Sequence, residues 1–183
     1  MLEGFINKQT FKLNIKNGDS MGYFISSIPP ESIKSSSVFN LSDLYKFVYK
    51  WCELNSYEVK ELEYYHGDEQ AGNHIEVRLE ATKNMDSYIR RRIMVSFLVL
   101  GMNKVEVEHE GMKLKTNKGN VEIQIEALLD LGYDRKWEKF GILRKIYDKF
   151  IIVSRLKAQK SVVGTEAYGL GNEIKAFLKL YQF

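Results

Sequence analysis

Two histidines flank a short acidic loop in the middle of the chain. His66 and His74 enclose residues 67–73, which include Asp68 and Glu69. If the flanking segments pair as a hairpin, the two imidazoles could lie across from each other and clamp a divalent metal, for which histidine and carboxylate are common ligands. An exposed polar loop with two incidental histidines accounts for the same residues, since no cysteine or further histidine is near. His66 and His74 are therefore metal candidates with both interpretations open.

Three consecutive arginines lie within a strand pattern. Successive side chains of a strand point to opposite faces, so Arg90 and Arg92 share one face and Arg91 takes the other. The two guanidinium groups on one face could bind phosphate, or they could pair with carboxylates on adjacent strands. The expected carboxylate partners are Glu76, Glu80 and Glu126.

A basic segment with helical periodicity follows residue 133. Trp137 and Tyr147 interleave with its basic residues, which is the pattern expected of a surface for an anionic partner such as nucleic acid. A plain amphipathic helix with a basic polar face explains the pattern equally. The candidate contacts are Arg135, Lys136, Lys139, Arg144, Lys145 and Lys149.

The sequence offers no signature of catalysis. The glycine-rich stretch 164–171 superficially resembles a phosphate-binding loop, but it follows a helix pattern and lacks the Lys-Ser/Thr ending. The three histidines are scattered and give no reason to assemble a catalytic triad. We therefore expect a protein that is not an enzyme and needs no cofactor.

An alternating pattern over residues 72–131 indicates the sheet that must position these groups. Apolar and polar residues alternate there, as in strands with one apolar and one charged face. Short turns are predicted at 101–104, 110–111 and 117–119. Strands joined by such short turns are antiparallel neighbours.

Two helix-like segments can cover the apolar face, which carries Ile75, Val77, Ile123 and Ile125. They are residues 41–54 and residues 133–181, the second with Phe140, Tyr147 and Phe150 on its apolar side. Gly164, Gly169 and Gly171 are expected to interrupt the second segment. The predicted fold is α+β: a curved antiparallel meander sheet of about five to seven strands, packed on a long C-terminal helix and one N-terminal-side helix.

The N-terminal part is predicted to stand apart from this domain. Residues 10–16 and 21–28 read as two strands joined at Asn17-Gly18, a sequence typical of tight hairpin turns. Pro29-Pro30 and the serines at 35–37 then predict a tether. The chain divides into a hairpin arm and tether, 1–39, and a single α+β domain, 40–183. The hairpin could fold back onto its own sheet or reach a neighbouring subunit.

Composition narrows the classes of protein. A chain of 183 residues suits one domain, and 28% charged with 13% aromatic residues is unlike a disordered chain. The single cysteine, Cys52, excludes an internal disulfide and fits a reducing compartment. A net charge of +3 does not by itself indicate nucleic-acid binding. No apolar run is long enough for a spanning helix, so we expect an intracellular protein without a membrane span.

The order of helix, antiparallel meander and long C-terminal helix resembles that of helix-grip (START-like) domains. That resemblance implies a sheet wrapped around the last helix and a cavity for an apolar ligand. The stretches GMNKVEV (101–107), NKGNVEI (117–123), WEK (137–139) and IYDK (146–149) also resemble small uncharacterised microbial, notably archaeal, proteins without a known activity, over roughly residues 41–181. The implied lining residues of the cavity are Phe97, Val99, Ile123 and Phe150.

Three functions follow as hypotheses. The first is a non-enzymatic structural or adaptor protein that acts by protein–protein contact within a larger assembly, with a protein partner or a second copy. The second is a helix-grip module that binds an apolar small molecule or lipid between sheet and helix. The third is a nucleic-acid-associated factor that uses the basic C-terminal helix and binds in a salt-dependent way.

Overall fold

A computed structural model of the protein describes residues 23–26, 28–69, 72–109, 112–134 and 152–180. In these residues the chain forms six strands and two helices, and it belongs to the α+β class, as predicted. The elements in chain order are β1 (Tyr23–Ser26), β2 (Glu31–Phe39), α1 (Leu41–Leu54), β3 (Glu58–Glu69), β4 (Gly72–Asn84), β5 (Ile89–His109), β6 (Met112–Leu131) and α2 (Val153–Leu180).

The six strands form one open antiparallel sheet with five strand positions. β6 pairs with β5, β5 with β4, and β4 with β3, which is one edge of the sheet. β1 and β2 both pair with β6, one after the other, and share the opposite edge. The predicted antiparallel sheet of about five to seven strands is confirmed.

Residues 31–39 are a strand of this sheet, so the prediction of a tether is wrong for them. They form β2, which is paired with β6 along its whole length up to Phe39 opposite Asn117. Strand pairing with β6 ties this part of the chain to the domain that it was predicted to lie outside. The strand predicted at 10–16 and its turn lie outside the described residues, so the hairpin stays a prediction.

The double proline interrupts this edge without ending it. Ser26 lies opposite Leu128 and Glu31 lies opposite Ile125, so there are more residues between Ser26 and Glu31 than between their partners on β6. Pro29-Pro30 are among these additional residues. Proline has no N–H to donate to a ladder, which accounts for a break between two strands of one edge.

Two of the predicted turns are wrong, because 101–104 and 117–119 lie inside β5 and β6. Register sets Asn103 opposite Lys118, so the two glycine-containing segments face each other across the ladder. They form one irregularity in a long hairpin, where the pairing register shifts. The predicted turn at 110–111 lies outside the described residues.

The apolar face of the sheet is the main wall of the core. Ile75 and Val77 are 4% and 5% exposed, and Ile123 and Ile125 are fully buried. Both helices lie on this side, α2 over β6, β2 and β5 and α1 beside β3 and α2. The predicted helix-on-sheet arrangement is therefore confirmed for the described residues.

α1 begins at a capped end and buries one stripe. The Asn40 side chain accepts hydrogen bonds from the backbone N–H groups of Ser42 and Asp43, at 3.1 and 3.3 Å, which satisfies two donors of the first turn. Apolar residues at helical spacing then face the core. The buried residues of α1 are Leu44, Val48, Trp51 and Cys52.

α2 is one continuous helix, so the predicted interruption at Gly164, Gly169 and Gly171 is wrong. Gly164 and Gly171 are buried, and tertiary packing of the helix outweighs the weak helix propensity of glycine. Residues 135–151, which the periodicity also predicts as helix, lie outside the described residues together with Phe140, Tyr147 and Phe150. The buried stripe of α2 consists of Val163, Ala167, Leu170, Ile174 and Leu178.

Candidate functional site

The β5–β6 hairpin extends past both of its neighbouring strands. β4 accompanies β5 only as far as Met102, and β2 accompanies β6 only from Asn117 onward. Residues 105–109 therefore pair only with residues 112–116 among the described residues, whereas Asn103 and Lys104 pair with Lys118 and Asn117. We call residues 103–109 and 112–116 the hairpin extension. At about 3.4 Å per residue, the hairpin extension projects roughly 24 Å beyond the end of β4.

Glycines let three strands meet closely at the base of the hairpin extension. Gly101 and Gly72 have φ angles of 62° and 111°, in the left-handed region that other residues seldom adopt. A Cβ at Gly119 would lie 3.1 Å from the Met102 Cα, and a Cβ at Gly72 would lie 2.8 Å from the Gly101 carbonyl carbon. Larger side chains at these positions would push the strands apart. The close contacts therefore place the bulge beside the first residues of β4.

Charged and smaller side chains alternate along the hairpin extension. Register sets Glu106 opposite Lys115, and Val105 opposite Thr116. Lys104 lies two residues before Glu106 and so shares its face. These three charged residues are exposed, whereas Val105 and Thr116 are half-buried. The extension thus presents an exposed face with charges of both signs.

A depression of about 460 Å³ lies beside the hairpin extension, between it and the start of α1. Asn40 and Thr116 are among its lining residues, and the Thr116 Oγ1 is buried without a hydrogen-bond partner among the described residues. Asn40 already caps the first-turn N–H groups of α1. The Asn40 side chain is therefore already engaged within the chain. The hairpin extension forms one wall of the depression.

The charged face of the sheet carries smaller depressions, of about 410, 180 and 140 Å³. Glu122 lines two of these depressions. Its Oε1 accepts a hydrogen bond from Ser32 Oγ at 2.9 Å, and its Oε2 lies 3.3 Å from Lys34 Nζ. Burial would raise the pKa of Glu122, but hydrogen bonds from Ser32, Gln124 and Lys34 outweigh burial and lower it. Glu122 is therefore a fixed negative charge at neutral pH.

Arg90 and Arg92 share a buried carboxylate on this face. Arg90 Nη2 lies 2.7 Å and Arg92 Nη2 lies 2.5 Å from Asp130 Oδ2, and Arg92 Nη1 lies 2.7 Å from Glu80 Oε1. Cross-strand ion pairing of these arginines was predicted, and Glu80 is one of the predicted partners. Asp130 was missed, although register sets it directly opposite Arg90.

Arg91 points to the other face and joins a polar cluster beneath α2. Its Nε donates to Gln159 Oε1 at 2.8 Å, and its Nη1 lies 3.2 Å from Glu166 Oε1. Glu166 also accepts the Tyr57 hydroxyl at 2.6 Å. Burial and the hydrogen bond to Glu166 raise the pKa of Tyr57, so the phenol stays protonated. The cluster fixes α2 to β5 and to the segment before β3.

The two candidate metal ligands lie on opposite faces of the β3–β4 hairpin. His66 is opposite Ile75, whereas His74 is opposite Gly67 and lies 2.9 Å from Glu76 through its Nε2. A shift of one residue in register reverses the face of a side chain, so the predicted two-histidine clamp is not formed. The part of the chain that the structure describes contains no group of three or more potential metal ligands.

The other predicted site residues fall into two sets. Phe97, Val99 and Ile123 are buried in the core, and neither Val99 nor Ile123 lines any of the four depressions given above. Phe150, the fourth predicted lining residue, is outside the described residues. The predicted anionic-partner contacts are outside them as well: Arg135, Lys136, Lys139, Arg144, Lys145 and Lys149.

Comparison with known proteins adds no family. No protein-family model matches the chain, and none of the curated proteins matches it in sequence. The resemblances to helix-grip domains and to archaeal proteins therefore stay predictions. Across the described ranges, no helix is long and apolar enough to cross a membrane.

Proposed function

We propose that this protein is a non-enzymatic structural or adaptor component that acts by protein–protein contact within a larger assembly. The observation that carries the proposal is the hairpin extension, which projects past β4 and β2 with no further strand beside it among the described residues. A two-stranded ribbon is marginally stable in water by itself. Its unpaired backbone edges are the groups to which a strand of another chain can be added.

β3 is the edge strand on the side of the sheet away from β1 and β2, and its exposed apolar side chains also support the proposal. Leu62, Tyr64 and Tyr65 are 44%, 59% and 51% exposed, close together along one strand. Tyrosine is enriched in protein interfaces because it combines a large apolar ring with a polar tip. β3 therefore offers a second surface suited to contact with a protein.

Shortening the hairpin extension tests the proposal. Residues 105–116 are replaced by Asn-Gly, a two-residue turn that joins Lys104 to Asn117, which already face each other. Tagged full-length and shortened chains are produced in the cells from which the protein comes, their contacts are fixed by chemical cross-linking inside the cells, and the masses of the products are compared by size fractionation of the extract. We expect the full-length chain in a fraction well above its monomer mass and the shortened chain at monomer mass.

A shortened β3–β4 hairpin is the matched control. Replacing residues 68–73 by Asn-Gly joins Gly67 to His74, which are also opposite each other, and trims the same end of the sheet. This control should keep the mass of the full-length chain, and circular dichroism should show that both shortened chains are folded. A full-length chain at monomer mass, or an unchanged mass after loss of the extension, would contradict the proposal.

The other two hypotheses gain no support from the described residues. The apolar-ligand hypothesis needs a cavity beside Val99 and Ile123, which are fully buried in the core. The nucleic-acid hypothesis depends on basic residues outside the described part of the chain. Both stay predictions from the sequence.

A further inference from the structure

We infer that the hairpin extension binds a second copy of this chain, by antiparallel pairing of the two β5 edges centred on Val105. This inference rests on the proposed function and names its partner. In this register, Val105 faces Val105 of the partner subunit. Lys104 faces Glu106 of the partner subunit, and Glu106 faces Lys104 of the partner subunit.

The order of charges along β5 selects this register. A two-fold axis repeats every contact, so one favourable pair of opposite charges becomes two. Lys104 and Glu106 are both exposed and flank Val105 symmetrically. Centring the pairing on residue 107 would instead set Glu106 opposite Glu108, and like charges directly opposite each other destabilise a ladder.

The neighbouring strand limits the length of the contact. β4 already occupies the β5 edge as far as Met102, which is opposite Asn73. The partner strand therefore finds a free edge only beyond residue 102, and pairing about Val105 uses residues 103–107 of each copy. A contact of this size is below that of a standard stable interface, so the association is weak and depends on concentration.

Each of the other edges carries a feature that opposes pairing with its own copy. Pro29-Pro30 interrupt the edge formed by β1 and β2. β3 has a register shift between Glu61 and Glu63, and its sequence carries five acidic residues against one lysine, which opposes pairing with a second β3. The β6 edge of the hairpin extension carries lysines at 113 and 115, which would repel those of a second copy. The β5 edge is left as the self-complementary one.

Charge exchange in the purified full-length chain tests this inference. Sedimentation velocity over a wide range of protein concentration, at low salt, measures the dissociation constant of the wild type and of Lys104→Glu, Glu106→Lys and the double variant. Each single variant turns two attractive contacts into two repulsive ones, and we expect the dissociation constant to rise roughly tenfold. The double variant restores opposite charges at both places and should return to within about threefold of the wild type.

Lys115→Gln is the control for the other strand. Lys115 lies opposite Glu106 on β6, and glutamine removes its charge without setting two carboxylates opposite each other within the extension, so the variant should stay within about threefold of the wild-type dissociation constant. A loss as large as that of Lys104→Glu would indicate β5-to-β6 pairing and overturn the inference.

Two further outcomes would also overturn the inference. They are a wild type that stays monomeric at every concentration, and a double variant as weak as the single ones. If the purified chain is monomeric while its mass in cells still depends on the hairpin extension, the proposed function stands with a different partner. Thermal unfolding of each variant shows that the comparison concerns folded protein.

Discussion

Asp130 neutralises two arginines on the charged face of the sheet, and we expect the Asp130→Asn variant to be strongly destabilised. Asp130 is 2% exposed, and its Oδ2 accepts from Arg90 Nε at 2.8 Å and from Arg92 Nε at 3.0 Å. Asparagine keeps the size of the side chain but removes its charge. Removing one partner of a buried ion pair leaves the other charge uncompensated, at a typical cost of about 3–5 kcal/mol.

The surroundings of the arginines place the expected loss at the lower end of that range. The Arg90 side chain is 27% exposed, so water can partly solvate its charge, and Arg92 keeps Glu80 at 2.7 Å. We therefore expect the free energy of unfolding to fall by about 3 kcal/mol. Urea unfolding followed by circular dichroism measures this loss, with an unchanged dependence of the free energy on urea concentration.

Glu63→Gln is the matched control, because it removes the carboxylate of an exposed ion pair on the same sheet. Glu63 Oε2 lies 3.2 Å from Arg78 Nη1, and the Glu63 side chain is 52% exposed. The free energy of unfolding of Glu63→Gln should fall by less than about 1 kcal/mol. If Asp130→Asn lost no more than this control, the buried cluster would contribute little to stability and the reasoning would be refuted.

Four further predictions concern α2, the core and the charged face. Gly169→Ala should raise the free energy of unfolding by about 0.5–1 kcal/mol, since its Cβ meets nothing within 4 Å. In urea titrations Gly171→Ala should gain less stability than Gly169→Ala, because its Cβ would lie 2.5 Å from Glu31 Oε2 and this carboxylate must move aside. Burial raises the pKa of Cys52 to about 12, so a thiol reagent at about pH 8 should label it only after denaturation, and rapid labelling of the folded chain would contradict this. Glu122→Gln should cost a few tenths of a kcal/mol at neutral pH. The pKa of Glu122 in the folded protein lies below its ordinary value, so this stabilisation is lost as the pH falls through that pKa. The free energies of unfolding of the wild type and of Glu122→Gln should therefore converge in acid, as measured by urea titration.

The sheet and its covered face were predictable because the alternation of residue types is local. The pattern around Ile75 and Ile123 identifies a buried face whatever the strand order, since strand periodicity follows from backbone geometry. α1 was predictable for the same reason, with Asn40 as its cap. These elements therefore follow from the sequence alone.

The wrong predictions concern glycines whose role depends on a segment that is distant in the sequence but adjacent in the fold. Glycine at 101 and at 119 predicts two turns, but the two positions face each other and form one bulge. Gly171 predicts a helix break, but it is buried in a continuous helix. Glycine preferences cannot distinguish a turn from a close approach of two segments.

The candidate site was the least predictable feature. Strand patterns are visible on both sides of the hairpin extension, but the extension exists only because β4 and β2 stop short of it. Strand ends are set by pairing between distant segments, which one sequence does not reveal. The same reason explains why Asp130 was missed as the partner of Arg90.

The position of β2 on the sheet has a consequence for the order in which the chain acquires its structure. Its Ser32 hydroxyl bonds to Glu122, 90 residues later in the sequence, whereas β3, β4 and β5 each pair with the strand that comes next. Closing so long a loop costs more entropy than forming a local hairpin. During synthesis, β2 must therefore wait without its strand partner until β6 has left the ribosome.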